Sequence, residues 1–117
     1  MSKRFLCFLA LCPTLALAAP FDGVYKQTAN SDCGLIGVDG GSIEIKDGIF
    51  HGVEVQCRMN NPVNVIDMDA ILYNMQCSGE GQVWTERAML MNSAEADKLI
   101  MIWNGYAFVY EACEPSS

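Results

Sequence analysis

Short runs in which apolar and polar residues alternate, punctuated by turn dipeptides ending in glycine, leave this chain few folds to choose from. Ile43 and Ile45 alternate with Ser42, Glu44 and Lys46, and Val53, Val55 and Cys57 alternate with Glu54 and Gln56. Ile71, Tyr73, Met75 and Cys77 alternate with Asn74 and Gln76, with Leu72 interrupting the polar side. A period of two marks a strand with one dry and one wet face. Lys46-Asp47-Gly48, Ser78-Gly79-Glu80-Gly81 and Trp103-Asn104-Gly105-Tyr106 read as tight hairpins, because such dipeptides tolerate the positive φ that short hairpin loops demand. Asn60-Asn61-Pro62 reads as a longer bend, and Asp39-Gly40-Gly41 closes a glycine-rich approach to the first alternating run.

The pattern predicts seven strands, at about 23–27, 42–46, 49–57, 70–77, 82–91, 98–103 and 106–113. Ser93 to Asp97 suits either one capped helical turn or a hairpin loop. No repeat, low-complexity tract or linker divides the chain. The expected fold is all-β: a small antiparallel meander closing into a barrel or sandwich of about seven strands, stapled by disulfides.

The first eighteen residues stand apart from this pattern. Lys3 and Arg4 make a basic start, Phe5 to Leu17 a short apolar run, and Ala16-Leu17-Ala18 a small-x-small end, which together read as a signal peptide over 1–18. Cleavage after Ala18 rather than Ala19 keeps Pro20 from lying directly past the scissile bond. The apolar run falls short of the roughly 20 residues that a spanning helix needs. Cys12 follows Leu11, where a lipidation box wants a small residue, so lipid attachment is not expected. What remains, 19–117, is expected to be a single β-domain bound for the periplasm or the extracellular space, with no membrane span after processing.

Loss of the leader leaves Cys33, Cys57, Cys77 and Cys113, an even set that reads as two disulfides in an oxidising compartment. Pairing Cys33 with Cys57 and Cys77 with Cys113 closes the shortest loops and is the expected connectivity. In a plain meander, however, Cys57 and Cys113 finish strands at one end and Cys77 at the other, which also admits Cys33 with Cys77 and Cys57 with Cys113. Each bridge would restrict the unfolded chain by roughly 3–4 kcal/mol, a large share of the about 5–15 kcal/mol that holds such a domain folded.

The leader also takes Lys3 and Arg4, so five basic residues then face fourteen acidic ones, a formal net charge of −9. A surface of that sign repels phosphate backbones and anionic lipid, which excludes nucleic acid as a partner. The acids are scattered, as in many soluble exported proteins.

Candidate chemistry is sparse. His51, the single histidine, lies in the register of Val53 and Val55, and its possible acidic companions are Asp67, Asp69 and Glu80. No Gly-x-Ser-x-Gly elbow presents a serine, and the cysteines are spent in bridges, so no catalytic residues are assigned and the chain is not expected to be an enzyme. Asp67-x-Asp69 beside Asn60, Asn61 and Asn64 offers oxygen ligands without the spacing of a calcium loop, and Gly37 to Gly41 lacks the lysine and helix of a phosphate cradle. No metal or cofactor is expected.

The aromatic and methionine content near the C-terminal end is the remaining feature. Trp84, Met89, Met91, Met101, Trp103, Tyr106, Phe108 and Tyr110 fall on adjacent strands, and both faces of Leu99 to Trp103 are apolar. A doubly buried strand explains this, and the alternative is an apolar patch or pocket mouth. Trp84, Trp103 and Tyr106 are the candidate binding residues.

Cys77-Ser78-Gly79-Glu80-Gly81 followed by Trp84 and Arg87, the earlier Glu54-x-x-Cys57-Arg58, and the aromatic-to-cysteine ending resemble a set of small exported bacterial proteins of unassigned function. The resemblance covers most of the mature chain and implies compartment and fold without an activity. The leading expectation is a non-catalytic binding module for another envelope or extracellular protein, inhibitor-like in build. The second is a carrier of a small apolar ligand, although an eight-strand barrel only just leaves room for one.

Overall fold

The computed structural model describes residues 19–113; the expected signal peptide, 1–18, lies outside the described residues. Among the described residues, nine strands form one sheet: β1 (Gly23–Lys26), β2 (Asp32–Ile36), β3 (Gly41–Lys46), β4 (Ile49–Gly52), β5 (Val55–Asn64), β6 (Ala70–Gly79), β7 (Gln82–Asn92), β8 (Lys98–Trp103) and β9 (Tyr106–Ala112). β3 to β9 follow one another as antiparallel neighbours, and β1 pairs with both β9 and β3, which closes an eight-strand barrel. β2 is the ninth strand, laid parallel along the start of β3. The fold is therefore the barrel and not the sandwich.

The hairpins form where the turn dipeptides place them. Asp47 and Gly48 take φ of 54° and 77°, and Glu80 and Gly81 take 49° and 76°, the left-handed pairs that match the twist of flanking antiparallel strands. Ser93 to Asp97 is a loop, in which the Glu95 N–H donates to Ser93 Oγ at 3.0 Å.

One hairpin has no such dipeptide. The expected strand 49–57 is in fact broken at Val53-Glu54, with Gly52 opposite Val55 and Glu54 at a φ of 56°. The reversal changes the face on which each residue lies. Phe50, Gly52, Val55 and Cys57 point inward while His51 points outward, opposite Glu44 and Gln56, and so does not share the face of Val55. The expected bend at Asn60-Asn61-Pro62 is instead an irregularity inside β5, where pairing with β6 shifts between Asn60 and Val63 and Asn61 takes a φ of 53°.

Both expected disulfide arrangements are overturned by the same reversal. Because Cys57 begins β5 rather than ending a strand, it lies directly opposite Cys77 and bonds to it across the β5–β6 pair. Cys113 bonds to Cys33 on β2, a strand too short and glycine-bearing to be legible as one. Ser42 faces outward from β3 but is 0% exposed, with its hydroxyl donating to the Asp32 carbonyl at 3.2 Å and lying 3.9 Å from the Cys113 sulfur.

The core runs through the barrel, from Phe50, Cys57, Cys77 and Trp103 near one end to Phe21 at the other. Tyr25, Ile43, Ile45, Tyr73, Met75, Leu90, Leu99 and Met101 occupy inward positions and are buried. Phe21 plugs its end from below: its ring meets Tyr73 edge-on at 6.5 Å, and its carbonyl accepts the Tyr25 hydroxyl at 2.7 Å. Burial, and secondarily the Asp22 carboxylate, raise the pKa of the Tyr25 and Tyr73 phenols. Among the described residues, no helix is long and apolar enough to cross a membrane.

Candidate functional site

At the other end the barrel is open, and register explains why. β6 and β7 pair as far as Gly79 and Gln82, but β7 pairs with β8 only over Ala88 to Asn92. The segment Gln82–Arg87 therefore outruns the end of β8, and the wall parts beside the Trp103–Tyr106 turn. A cleft of about 390 Å³ enters the interior there. That volume is within the range of small-molecule sites, about 300–1,000 Å³.

Parity selects the side chains that line the cleft. On β7, Gln82, Trp84 and Glu86 fall on the same face as the buried Ala88 and Leu90, yet Trp84 is 37% exposed because no wall stands over it. On β9, Tyr106, Phe108 and Tyr110 form a ladder of rings: Tyr106 meets Phe108 edge-on at 5.5 Å, and Phe108 stacks on Tyr110 at 5.6 Å. Phe50 and Trp103, edge to face at 5.9 Å, and the Cys57–Cys77 disulfide complete the apolar lining. Burial first, and the neighbouring Tyr106 second, push the Tyr110 phenol up to about 12, so it faces the cleft as a neutral hydroxyl.

Three carboxylates accompany these rings. Glu86 accepts a hydrogen bond from the Trp84 indole N–H at 2.8 Å through one oxygen, which fixes the tilt of the indole at the rim. Glu54 and Glu80 come from the β4–β5 and β6–β7 turns. Those turns touch: a Cβ on Gly79 would stand 2.6 Å from the Glu54 carbonyl oxygen, so only glycine lets the two turns close at this spacing. Gln27 and Gln82 add neutral polar groups. Among the described residues, none that lines the cleft is a lysine, arginine or histidine.

The three candidate binding residues, Trp84, Trp103 and Tyr106, thus meet in one place. His51, Asp67, Asp69 and Glu80 do not. His51 is on the outer face of β4, Asp67 and Asp69 are exposed in the β5–β6 turn at the closed end, and Glu80 is at the rim. Among the described residues, no group of three or more His, Cys, Asp or Glu could hold a metal ion. Glu54, Gln82 and Glu86 are lining residues that the sequence pattern had not singled out. The signal for Glu86 was available, because it shares the two-residue phase of Ala88 and Leu90 and is therefore a charge in the dry register of its strand.

A second surface lies on the outer wall. Leu72, Met89, Ile102 and Ala107 are cross-strand neighbours in one row, and Met91, Ile100 and Val109 in the next. Both faces of β8 are thus apolar, the inner one in the core and the outer one on this wall. Comparison of the chain with protein-family models, with curated proteins and with solved structures finds no match.

Proposed function

We propose that this protein is an exported, non-catalytic β-barrel that holds a small ligand with an apolar body in the cleft at its open end. The observation that carries this reading is the set of rings that the register turns inward but the wall leaves uncovered: Trp84, Tyr106 and Phe108, all exposed and all lining one cavity. Exposed aromatics in a concave site, with a few polar groups around them, are the ordinary composition of a ligand pocket. The compartment, periplasmic or secreted, is supported by the leader-like N-terminal sequence, by the resemblance to small exported proteins and by two disulfides.

The test is titration with N-phenyl-1-naphthylamine, a neutral apolar dye whose emission rises on leaving water. Saturable binding is expected, and Trp84→Ala, a change at a partly exposed site whose circular dichroism is expected to match that of the unmodified protein, is expected to weaken it about five- to tenfold. A dye that does not bind, or binds equally to the variant, removes the cleft as its site.

The outer wall favours a second reading, a docking face for an apolar segment of another envelope or extracellular protein. Ile102→Glu is expected to abolish recovery of a specific partner from an envelope extract while dye binding persists. Recovery of no partner by the unmodified protein eliminates this reading.

A further inference from the structure

We infer that the ligand of the cleft is an organic cation, an amine or quaternary ammonium on a compact apolar body. This rests on the ligand-binding reading above and specifies its chemistry. Rings alone would accept any apolar molecule. Here the polar groups set among them are of one sign: Glu54 and Glu80 at the rim, and Glu86 further in, opposite the fully buried Met75. No basic side chain in the described lining answers them. Glu86 spends one oxygen on the Trp84 indole and keeps the other for a ligand.

That hydrogen bond also orients the ring. A carboxylate on the indole N–H leaves the face of Trp84 to meet a bound group, and indole is the best of the side-chain faces for a cation. A cation entering there would meet the ring face and the carboxylates together, and the acidic net charge of the chain favours its approach. An anion would meet the same three carboxylates with nothing to offset them. A neutral molecule would satisfy the rings but leave the carboxylates without a counter-charge.

The experiment is competition against N-phenyl-1-naphthylamine by three molecules with one body and different charge: 1-adamantylmethylamine, 1-adamantylmethanol and 1-adamantanecarboxylate. The amine is expected to displace the dye about tenfold more effectively than the alcohol, and the carboxylate least of all. Glu86→Gln, which keeps an acceptor for the indole, is expected to narrow the amine-to-alcohol ratio at least threefold. Glu80→Gln, in an exposed turn, is expected to narrow it less, and raised salt to narrow it in the unmodified protein. An amine no better than the alcohol, or a preference that survives Glu86→Gln at full size, overturns the inference while dye binding keeps the parent reading. If the dye itself does not bind, the parent reading fails and the inference with it.

Discussion

Replacing Cys33 and Cys113 together by serine is expected to lower the unfolding free energy by about 4–5 kcal/mol. The bridge joins positions 80 residues apart, and the loss of chain entropy that it imposes on the unfolded state grows with the logarithm of that separation. It also holds β2 over Ser42, so the variant exposes a hydroxyl that the folded protein keeps wholly buried. The Cys57–Cys77 bridge closes 20 residues and is expected to contribute less, about 3 kcal/mol. Urea unfolding of the two double variants under non-reducing conditions measures both. A Cys33/Cys113 variant that loses no more than the Cys57/Cys77 variant contradicts the ranking.

Leu99→Ala is expected to cost about 2–5 kcal/mol, and Ile100→Ala, one residue further along, less than half as much. Leu99 is completely buried in the closed half of the barrel beside Tyr110, its partner on β9. Ile100 lies on the opposite face, between Met91 and Val109 on the outer wall, where removing methyl groups opens no enclosed cavity. Because strand side chains alternate, the pair tests the register of β8 directly: a slip of one residue would reverse the two costs. Equal losses in thermal or urea unfolding would contradict the closed core as described.

Alternation proved a good guide wherever a glycine-bearing dipeptide stood between two runs, as at Asp47-Gly48 and Glu80-Gly81. It misled at Val53-Glu54. Neither residue favours positive φ, and Val53, Val55 and Cys57 carry an unbroken period of two straight through the reversal. The cost of that one turn to sequence reading was large. It put His51 on the wrong face and hid the contact of Cys57 with Cys77. β2 was illegible for another reason, since its five residues, with Gly34 in the middle, show no alternation and gain their order from β3 and a disulfide. Of the cleft, the rings were visible as a concentration of aromatics, whereas of its three carboxylates only Glu80 stood out, and as a companion of His51 rather than as part of a pocket. Two of the three belong to turns, where acids are ordinarily solvated, and only the barrel's geometry turns them toward a common space.

The seam between β1 and β9 sets the order in which this protein can be completed. Every other barrel joint links strands that are neighbours in sequence or separated only by β2, and can zip as the chain becomes available. The seam pairs Tyr25 with Ala112 and Lys26 with Glu111, so it waits for the last strand to appear. Until then the sheet has two free edges, β1 and whichever strand was added last, each able to pair with a second molecule. Closure is thus the most non-local joint of the barrel. Cys113, immediately after β9, is well placed to make that joint hard to open once its bond to Cys33 forms.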